Sequence, residues 1–365
     1  MAKLKIKEIK KTAPAKTEKK LLRAEKDSVS EPKKGPVSQL RQDLVTGDWV
    51  VIATGRGKRP EDFCRKEPER EELKDQGECL FCDPEKSGQE KDVLIYRTDQ
   101  DDWTLRVFPN KFPAFAQPKG RIVHQNEGPY FWMEGVGYHE VIVTRDHQKS
   151  LGQLENWQVA EAMDAFQTRY LDLMNKKSVR YIEIFHNHGK EAGASIAHPH
   201  SQLAAVPVIS PYIQGELSGA EDYFSRNKKC VFCEMIGWEK KQQERVVFEN
   251  EQFLVFCPFA SRAAFEMWIL PQKHSPYFER TDDEGKLALG EALREALRKL
   301  GVVLNNPAYN FYFHTAPCDG KDYPRFHWHI EILPKTSLWA GFELSTGVEV
   351  STIEPETAAE YLSKA

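Results

Sequence analysis

The chain contains one ordered set of parts twice, and this constrains its fold more than any other feature. Each copy opens on a two-cysteine knuckle, Cys79-Leu80-Phe81-Cys82 and Cys230-Val231-Phe232-Cys233. An apolar run follows and ends in a polar turn with a histidine, Glu140 to His147 in the first copy and Met267 to His274 in the second. Next comes a stretch of helical periodicity. Leu154 to Lys176 places Trp157, Ala160, Met163, Phe166, Tyr170 and Met174 on one stripe; Asp282 to Leu304 places Leu289, Leu293, Leu297 and Leu300 on another. A β-branched and aromatic run then reads as a strand, Tyr181 to His186 and Tyr309 to His314. Each copy closes on His-x-His, His198-Pro199-His200 and His327-Trp328-His329. The turn histidine and the first histidine of that triplet are 51 residues apart in one copy and 53 in the other. Parts repeated in this order, at this spacing, predict a tandem duplication. The expected class is α+β, with an antiparallel sheet and a long helix in each half. The halves are read as residues 36–215 and 216–365, with Ser210 to Lys229 linking them and a short helix near Pro355 to Ser363 at the end.

Charge sets the opening segment apart. Residues 1–35 hold twelve Lys/Arg against five Asp/Glu and no aromatic residue. The whole chain carries −4, so the remainder carries −11. The segment reads as a disordered basic tail. The acidic body argues against nucleic acid as the main substrate. No apolar run approaches the ~20 residues needed to span a bilayer, and the N-terminus lacks the pattern of a secretory signal. The expected setting is therefore the cytoplasm, with no membrane partner.

Seven cysteines in a reducing compartment do not point to structural disulfides. Four of them form the knuckles, and each knuckle has two histidines at matching positions of its copy. Thiolate and imidazole in a closed set of four suit structural zinc. One expected site is Cys79, Cys82, His147 and His198; the other is Cys230, Cys233, His274 and His327. Two zinc ions per chain are expected, each serving its own half.

The first His-x-His sits in the richest run of the chain, Asn187 to Gln202, whose small residues let backbone come close to a ligand. Backbone N–H groups in such a loop bind phosphate. His198 is committed to metal, which leaves His200. A neutral imidazole is a competent nucleophile near neutral pH. Attack by His200 on the α-phosphorus of a nucleoside diphosphate sugar gives a nucleotidyl-histidine, which a second phosphate then resolves in a ping-pong sequence. Gln202 and Ser195 are read as hydrogen-bond donors to the phosphoryl oxygens. The second copy has a tryptophan between its histidines and no Ser-Gln after them, so it is expected to be silent. His186, His188 and His314 are read as packing or loop histidines. A zinc-stabilised nucleotide-binding module without turnover is the reading from another class.

These motifs resemble the galactose-1-phosphate uridylyltransferase family, within the histidine-triad superfamily, from about residue 38 to the C-terminus. The resemblance rests on His198-Pro199-His200-Ser201-Gln202, the cysteine and histidine sets, and Leu44-Val45-Thr46-Gly47-Asp48-Trp49-Val50. It implies exchange of UMP between UDP-glucose and galactose 1-phosphate by a homodimer, with His200 as nucleophile, His198 on zinc and Gln202 as the family's glutamine. It further implies that Arg56 and Arg59 meet the substrate phosphates, that Asn110, within Val107 to Phe112, meets the nucleotide, and that Asn187 and Ser195 lie near the phosphates. Ala340 to Glu343 resembles the sugar-side segment, which adds Phe342 and Glu343. The chain departs from many members in having Ser201 in place of glycine. Its second Cys-x-x-Cys stands where some members use a glutamate and three histidines, an arrangement of which Glu216 and His329 look like remnants. These features also resemble a branch that acts as ADP-glucose phosphorylase.

Overall fold

The computed structural model describes residues 38–56, 79–120 and 122–365. The basic tail and Arg59 lie outside the described residues, as does the side chain of Arg56. The chain enters through β1 (Gln39–Gln42) and β2 (Trp49–Ile52) and continues through β3 (Leu94–Arg97), β4 (Trp103–Pro109), β5 (His124–Glu127), β6 (Tyr130–Met133) and β7 (Tyr138–Thr144). Helix α1 (Asn156–Leu173), β8 (Tyr181–His188) and β9 (His200–Val206) complete the first half. Helices α2 (Pro211–Asn227) and α3 (Val231–Gln242) lead to β10 (Val246–Glu249), β11 (Phe253–Phe256), β12 (Met267–Pro271), α4 (Asp283–Leu304), β13 (Tyr309–His314) and β14 (His329–Pro334). Helix α5 (Gly341–Thr346), β15 (Glu349–Ser351) and α6 (Pro355–Lys364) close the chain.

The duplication is written into the sheet. Ten strands run in the order β10-β11-β12-β14-β13-β8-β9-β7-β4-β3, every neighbour antiparallel. Read outward from the β8–β13 seam, each half repeats one order: β8-β9-β7-β4-β3 and β13-β14-β12-β11-β10. The fold is α+β, a doubled unit in which each half carries one long helix. The registers correct one detail of the sequence alignment. Gln202 faces Phe185, and Glu331 faces Tyr312. The repeat position of His314 is therefore Asn187, not His186.

Helices α1 and α4 cover one face of the sheet. Ala160, Met163, Phe166 and Tyr170 are buried there, as are Leu289, Leu293, Leu297 and Leu300. Trp157 is instead 52% exposed, because the packed stripe of α1 begins at Val159. Asp282 caps α4 by accepting from the Gly285 N–H at 2.7 Å, and Asn305 ends it in the left-handed region. The other face is covered unevenly. In the second half, α2 and α3 lay Ala220, Val231, Phe232 and Ile236 on Leu254, Phe256, Trp268 and Leu270. The segment expected to be a link is thus mostly helix, started by Ser210 as cap and Pro211 in the first turn. In the first half the matching face holds a smaller cluster of Cys79, Phe81, Phe108, Val141 and Val143, with Cys82 and Ile196 packed against it and no helix among them. That difference leaves this face of the first half more open than its counterpart among the described residues.

Candidate active site

Alternation along strands decides which side chains reach the open face. On β9, His200 and Gln202 point to it, while Ser201 turns to the helix side and meets His186 at 3.0 Å. On β7, Val143 and Val141 stand opposite them, and His139 continues the same row.

The knuckle and two histidines converge beside this face. Cys82 Sγ lies 3.2 Å from His147 Nδ1, Cys79 Sγ lies 3.5 Å from His198 Nδ1, and the two Nδ1 atoms are 3.3 Å apart. The Nε2–H of His198 donates to the Thr144 carbonyl at 2.8 Å, which leaves the Nδ1 lone pair aimed at the cysteines. Burial and the neighbouring Cys79 push the Cys82 thiol up to about 12. Two thiols this close ionise together only around a cation, so the donor set fits zinc. The second half repeats the arrangement. Cys233 Sγ lies 3.6 Å from His274 Nδ1 and 3.7 Å from His327 Nδ1, and Cys230 Sγ lies 4.0 Å from His327 Nδ1. The Nε2–H of His327 donates to the Pro271 carbonyl at 2.8 Å, and that of His274 to the Pro324 carbonyl at 3.0 Å.

His200 is placed by its neighbours. Its Nδ1–H donates to the carbonyl of His198 at 2.9 Å, so the lone pair is on Nε2. The ring of Phe81, from the middle of the knuckle, stands edge-on at 5.1 Å between centroids. Burial pulls the His200 imidazole below its ordinary range, more than the bond to the His198 carbonyl raises it. The loop before it turns on Gly189 and Gly193, at φ +80° and +91°, and a Cβ on Gly189 would meet Ala308 at 2.8 Å. After this turn the N–H groups of Ser195, Ile196 and Ala197 make no backbone hydrogen bond among the described residues. Backbone N–H groups in such a loop suit a phosphate. Ser195 is exposed on the loop. Asn187 is fixed from across the seam, its Oδ1 accepting from Asn310 Nδ2 at 2.7 Å.

The second half shows what the same frame does without the open face. His329 donates through Nδ1 to the His327 carbonyl at 3.1 Å, as His200 does to His198. Its Nε2 is fully buried and lies 3.6 Å from Glu331 and 3.7 Å from Glu216 of α2. Although burial alone lowers it, the two carboxylates raise the His329 imidazole to about 10. A protonated ring has no lone pair to attack with. His314, expected to be a packing residue, belongs to this cluster through a 3.0 Å contact with Glu216. Arg262 closes it with ion pairs to Glu266 and Glu331. Glu216, His314, His329 and Glu331 place one donor atom each within 4.8 Å of one another. The repeat does offer one signal for this cluster: Glu331 stands where the first half has Gln202, and Glu266 where it has His139.

Not every residue implied by the resemblance gathers at His200. Asn110 does approach, its Nδ2 lying 3.4 Å from His139 Nε2 beside Gln202. The Leu44 to Val50 run turns between β1 and β2 and sends Val45 into the α2–α3 cluster on the second half. The side-chain hydrogen bonds of α5, which carries Phe342 and Glu343, run within residues 340–348.

A family model described as galactose-1-phosphate uridyl transferase, N-terminal domain, matches residues 27–209. The ADP-glucose phosphorylase of Arabidopsis thaliana is 34% identical over 332 residues, covering 89% of this chain and 92% of the relative. The chain belongs to the galactose-1-phosphate uridylyltransferase family. A second model, a domain of unknown function (DUF4921), matches residues 126–365. Another member of the uridylyltransferase family, the Thermotoga maritima galactose-1-phosphate uridylyltransferase, is 28% identical and covers 89% of this chain and 97% of its own. The crystal structure of the A. thaliana ADP-glucose phosphorylase with bound ADP-glucose superimposes with a TM-score of 0.76 at 30% identity, over 90% of this chain and 99% of that one. Membership makes the chain an enzyme of a nucleotidyltransferase family. Among the described residues no helix is long and apolar enough to cross a membrane.

Proposed function

We propose that the protein transfers a nucleotidyl group from a nucleoside diphosphate hexose to a second phosphate through a covalent intermediate on His200. The observation that carries this is the His200 ring, held through Nδ1 by the His198 carbonyl with Nε2 left to attack, beside a loop whose N–H groups make no backbone hydrogen bond among the described residues. Its Nε2 attacks the α-phosphorus, the P–N bond forms, and the P–O bond to the β-phosphate breaks. The hexose 1-phosphate leaves. An acceptor phosphate then attacks the same phosphorus and frees His200. Gln202, Ser195 and Asn187 donate to the phosphoryl oxygens, where fixed donors count most. Zinc, held by Cys79, Cys82, His147 and His198, supplies fixed geometry to the knuckle and the His198 backbone, and a second zinc does the same for the other half. Residues 36–215 are the catalytic half.

The first reading is exchange between UDP-glucose and a hexose 1-phosphate such as galactose 1-phosphate, in the cytoplasm. The 34% identity to an ADP-glucose phosphorylase favours a second reading, in which the donor is ADP-glucose and the acceptor is free phosphate. In both, the enzyme works as a homodimer, and Arg56, Arg59, Phe342 and Glu343 bind the phosphates and sugar. The test is to incubate the protein with UDP-glucose or ADP-glucose without acceptor and follow hexose 1-phosphate release. A burst of one equivalent per site with one donor names the base; addition of galactose 1-phosphate or phosphate names the acceptor. No burst with either donor overturns the proposal.

A further inference from the structure

One half-buried histidine on the open face has no part in the scheme above. His139 lies on β7 in the row of Val141 and Val143, and its Nε2 is 2.8 Å from Gln202 Oε1. The direction of that bond follows from the backbone. The N–H of Ala114 points at His139 Nδ1 from 3.2 Å, and a backbone N–H can only donate. Nδ1 is therefore the acceptor, and in the neutral ring the proton is on Nε2. Burial lowers the His139 imidazole from its ordinary range more than Gln202 raises it, in keeping with a neutral ring. The Nε2–H then donates, and the atom it meets on Gln202 has to be the amide oxygen. The NH2 end of Gln202 is thereby turned away from His139. It makes no other hydrogen bond among the described residues.

The ring is itself braced. The His139 carbonyl accepts from the Asn110 N–H at 2.8 Å, and Asn110 Oδ1 accepts from the Phe112 N–H at 2.9 Å. The Asn110 amide nitrogen, 3.4 Å from His139 Nε2, is in contact without a second hydrogen bond. The turn expected to meet the nucleotide is thus tied to the His139 backbone, and the His139 ring to the glutamine expected to meet the phosphate. The silent half has lost both members. Glu266 and Glu331 occupy the two positions and grip Arg262, and neither carboxylate can donate.

We propose that His139 is a positioning residue: it fixes the Gln202 amide so that its NH2 faces the phosphoryl group being transferred from donor to His200. This rests on the nucleotidyl-His200 reading and on Gln202 as a donor. It assigns His139 no contact with substrate.

The experiment uses full-length protein and the donor, UDP-glucose or ADP-glucose, that loads it faster. Single-turnover loading and donor KM are measured for Gln202→Leu, His139→Leu, His139→Gln and the double variant Gln202→Leu/His139→Leu. Removing a preorganised donor slows such steps by about 10²–10³-fold, so Q202L is expected in that range. H139L leaves the donor present but unaimed, and is expected to slow loading about 10- to 100-fold with KM changed less than about threefold. H139Q, whose amide can donate to the same oxygen, recovers part of the loss. The double variant loads no slower than Q202L alone. Wild-type loading in H139L beside a slow Q202L overturns the role of His139. A double variant slower than Q202L by the full H139L factor also overturns it, because that is the signature of an independent structural effect. Wild-type loading in Q202L overturns the Gln202 reading instead, and no loading in the wild type overturns the function itself.

Discussion

The two clusters of paired cysteines and histidines are alike in their side chains and expected to be unlike in consequence, and replacing one cysteine in each separates them. Cys79→Ser and Cys230→Ser each remove one ligand of four, so each variant is expected to lose about one equivalent of zinc. What the first site holds is visible around His200. The knuckle carries Phe81, 4% exposed, whose ring stands 5.1 Å from His200, and His198 supplies the carbonyl that orients Nδ1 at 2.9 Å. Burial of a phenylalanine contributes about 1.5–3 kcal/mol and a hydrogen bond of this kind about 1 kcal/mol. If both are lost from the oriented ring, the productive arrangement is disfavoured by about 2.5–4 kcal/mol, a loading rate about 10²- to 10³-fold lower. The second knuckle packs Phe232 at 5.0 Å from His329 and 5.8 Å from Phe326, in the second half. Cys230→Ser is therefore expected to load within about threefold of wild type below its unfolding temperature. The assay pairs metal analysis of each purified variant with single-turnover loading. Equal slowing in both variants, or wild-type loading by Cys79→Ser after its zinc is gone, refutes the reasoning.

Other outcomes follow from the same geometry. Asn310 donates to Asn187 Oδ1 at 2.7 Å and to the Ala192 carbonyl at 2.8 Å, so Asn310→Ala is expected to slow loading about 10- to 100-fold by loosening the phosphate loop from across the seam; an unchanged rate contradicts this. A Cβ on Gly290 would meet Ala160 N at 2.8 Å and its Cα at 3.0 Å where α4 crosses α1. Gly290→Val is expected to lower the melting temperature by about 2–12 °C through overpacking, read by calorimetry, and an unchanged melt shows that the helices can part. Asp164 of α1 pairs with Lys286 of α4. Burial raises the Asp164 carboxyl, but hydrogen bonds from Lys286 and Tyr96 outweigh it and hold the group below its ordinary 3.8. Because the folded value is the lower one, this stabilisation is present above the unfolded pKa and is lost as pH falls through the folded one. Denaturant midpoints should therefore separate wild type from Asp164→Asn at neutral pH and draw together as pH falls below the ordinary 3.8 of the carboxyl. A gap that stays constant rules out the pair as its source.

The two cysteine and histidine clusters could be read in the sequence because their parts are chemically rare. Two knuckles with matching histidines leave few uses for four thiols. The doubled order of strands followed from the same repeat. Other parts have no local signal. His139 and Gln202 are 63 residues apart and meet because β7 pairs with β9. Apolar spacing aligned Tyr181 with Tyr309, but only the hydrogen-bond register shows the shift by one that puts Asn187 opposite His314 in the repeat. Ser210 to Lys229 reads as a link in the sequence. It is helical because Ser210 and Pro211 start a helix whose few buried side chains, Ile213, Glu216 and Ala220, cover the second half's sheet. The resemblance had paired Glu216 with His329, 3.7 Å apart in the fold, but not with His314, which meets Glu216 at 3.0 Å.

The claim on which the rest depends is that His200 carries the nucleotide. Protein loaded with donor in the absence of acceptor, then digested under neutral conditions and mapped by mass spectrometry, tests it directly. The account predicts one nucleotidyl group per chain, on the peptide that contains His200, and none in His200→Gly. An adduct on any other residue, or one that persists in His200→Gly, contradicts it.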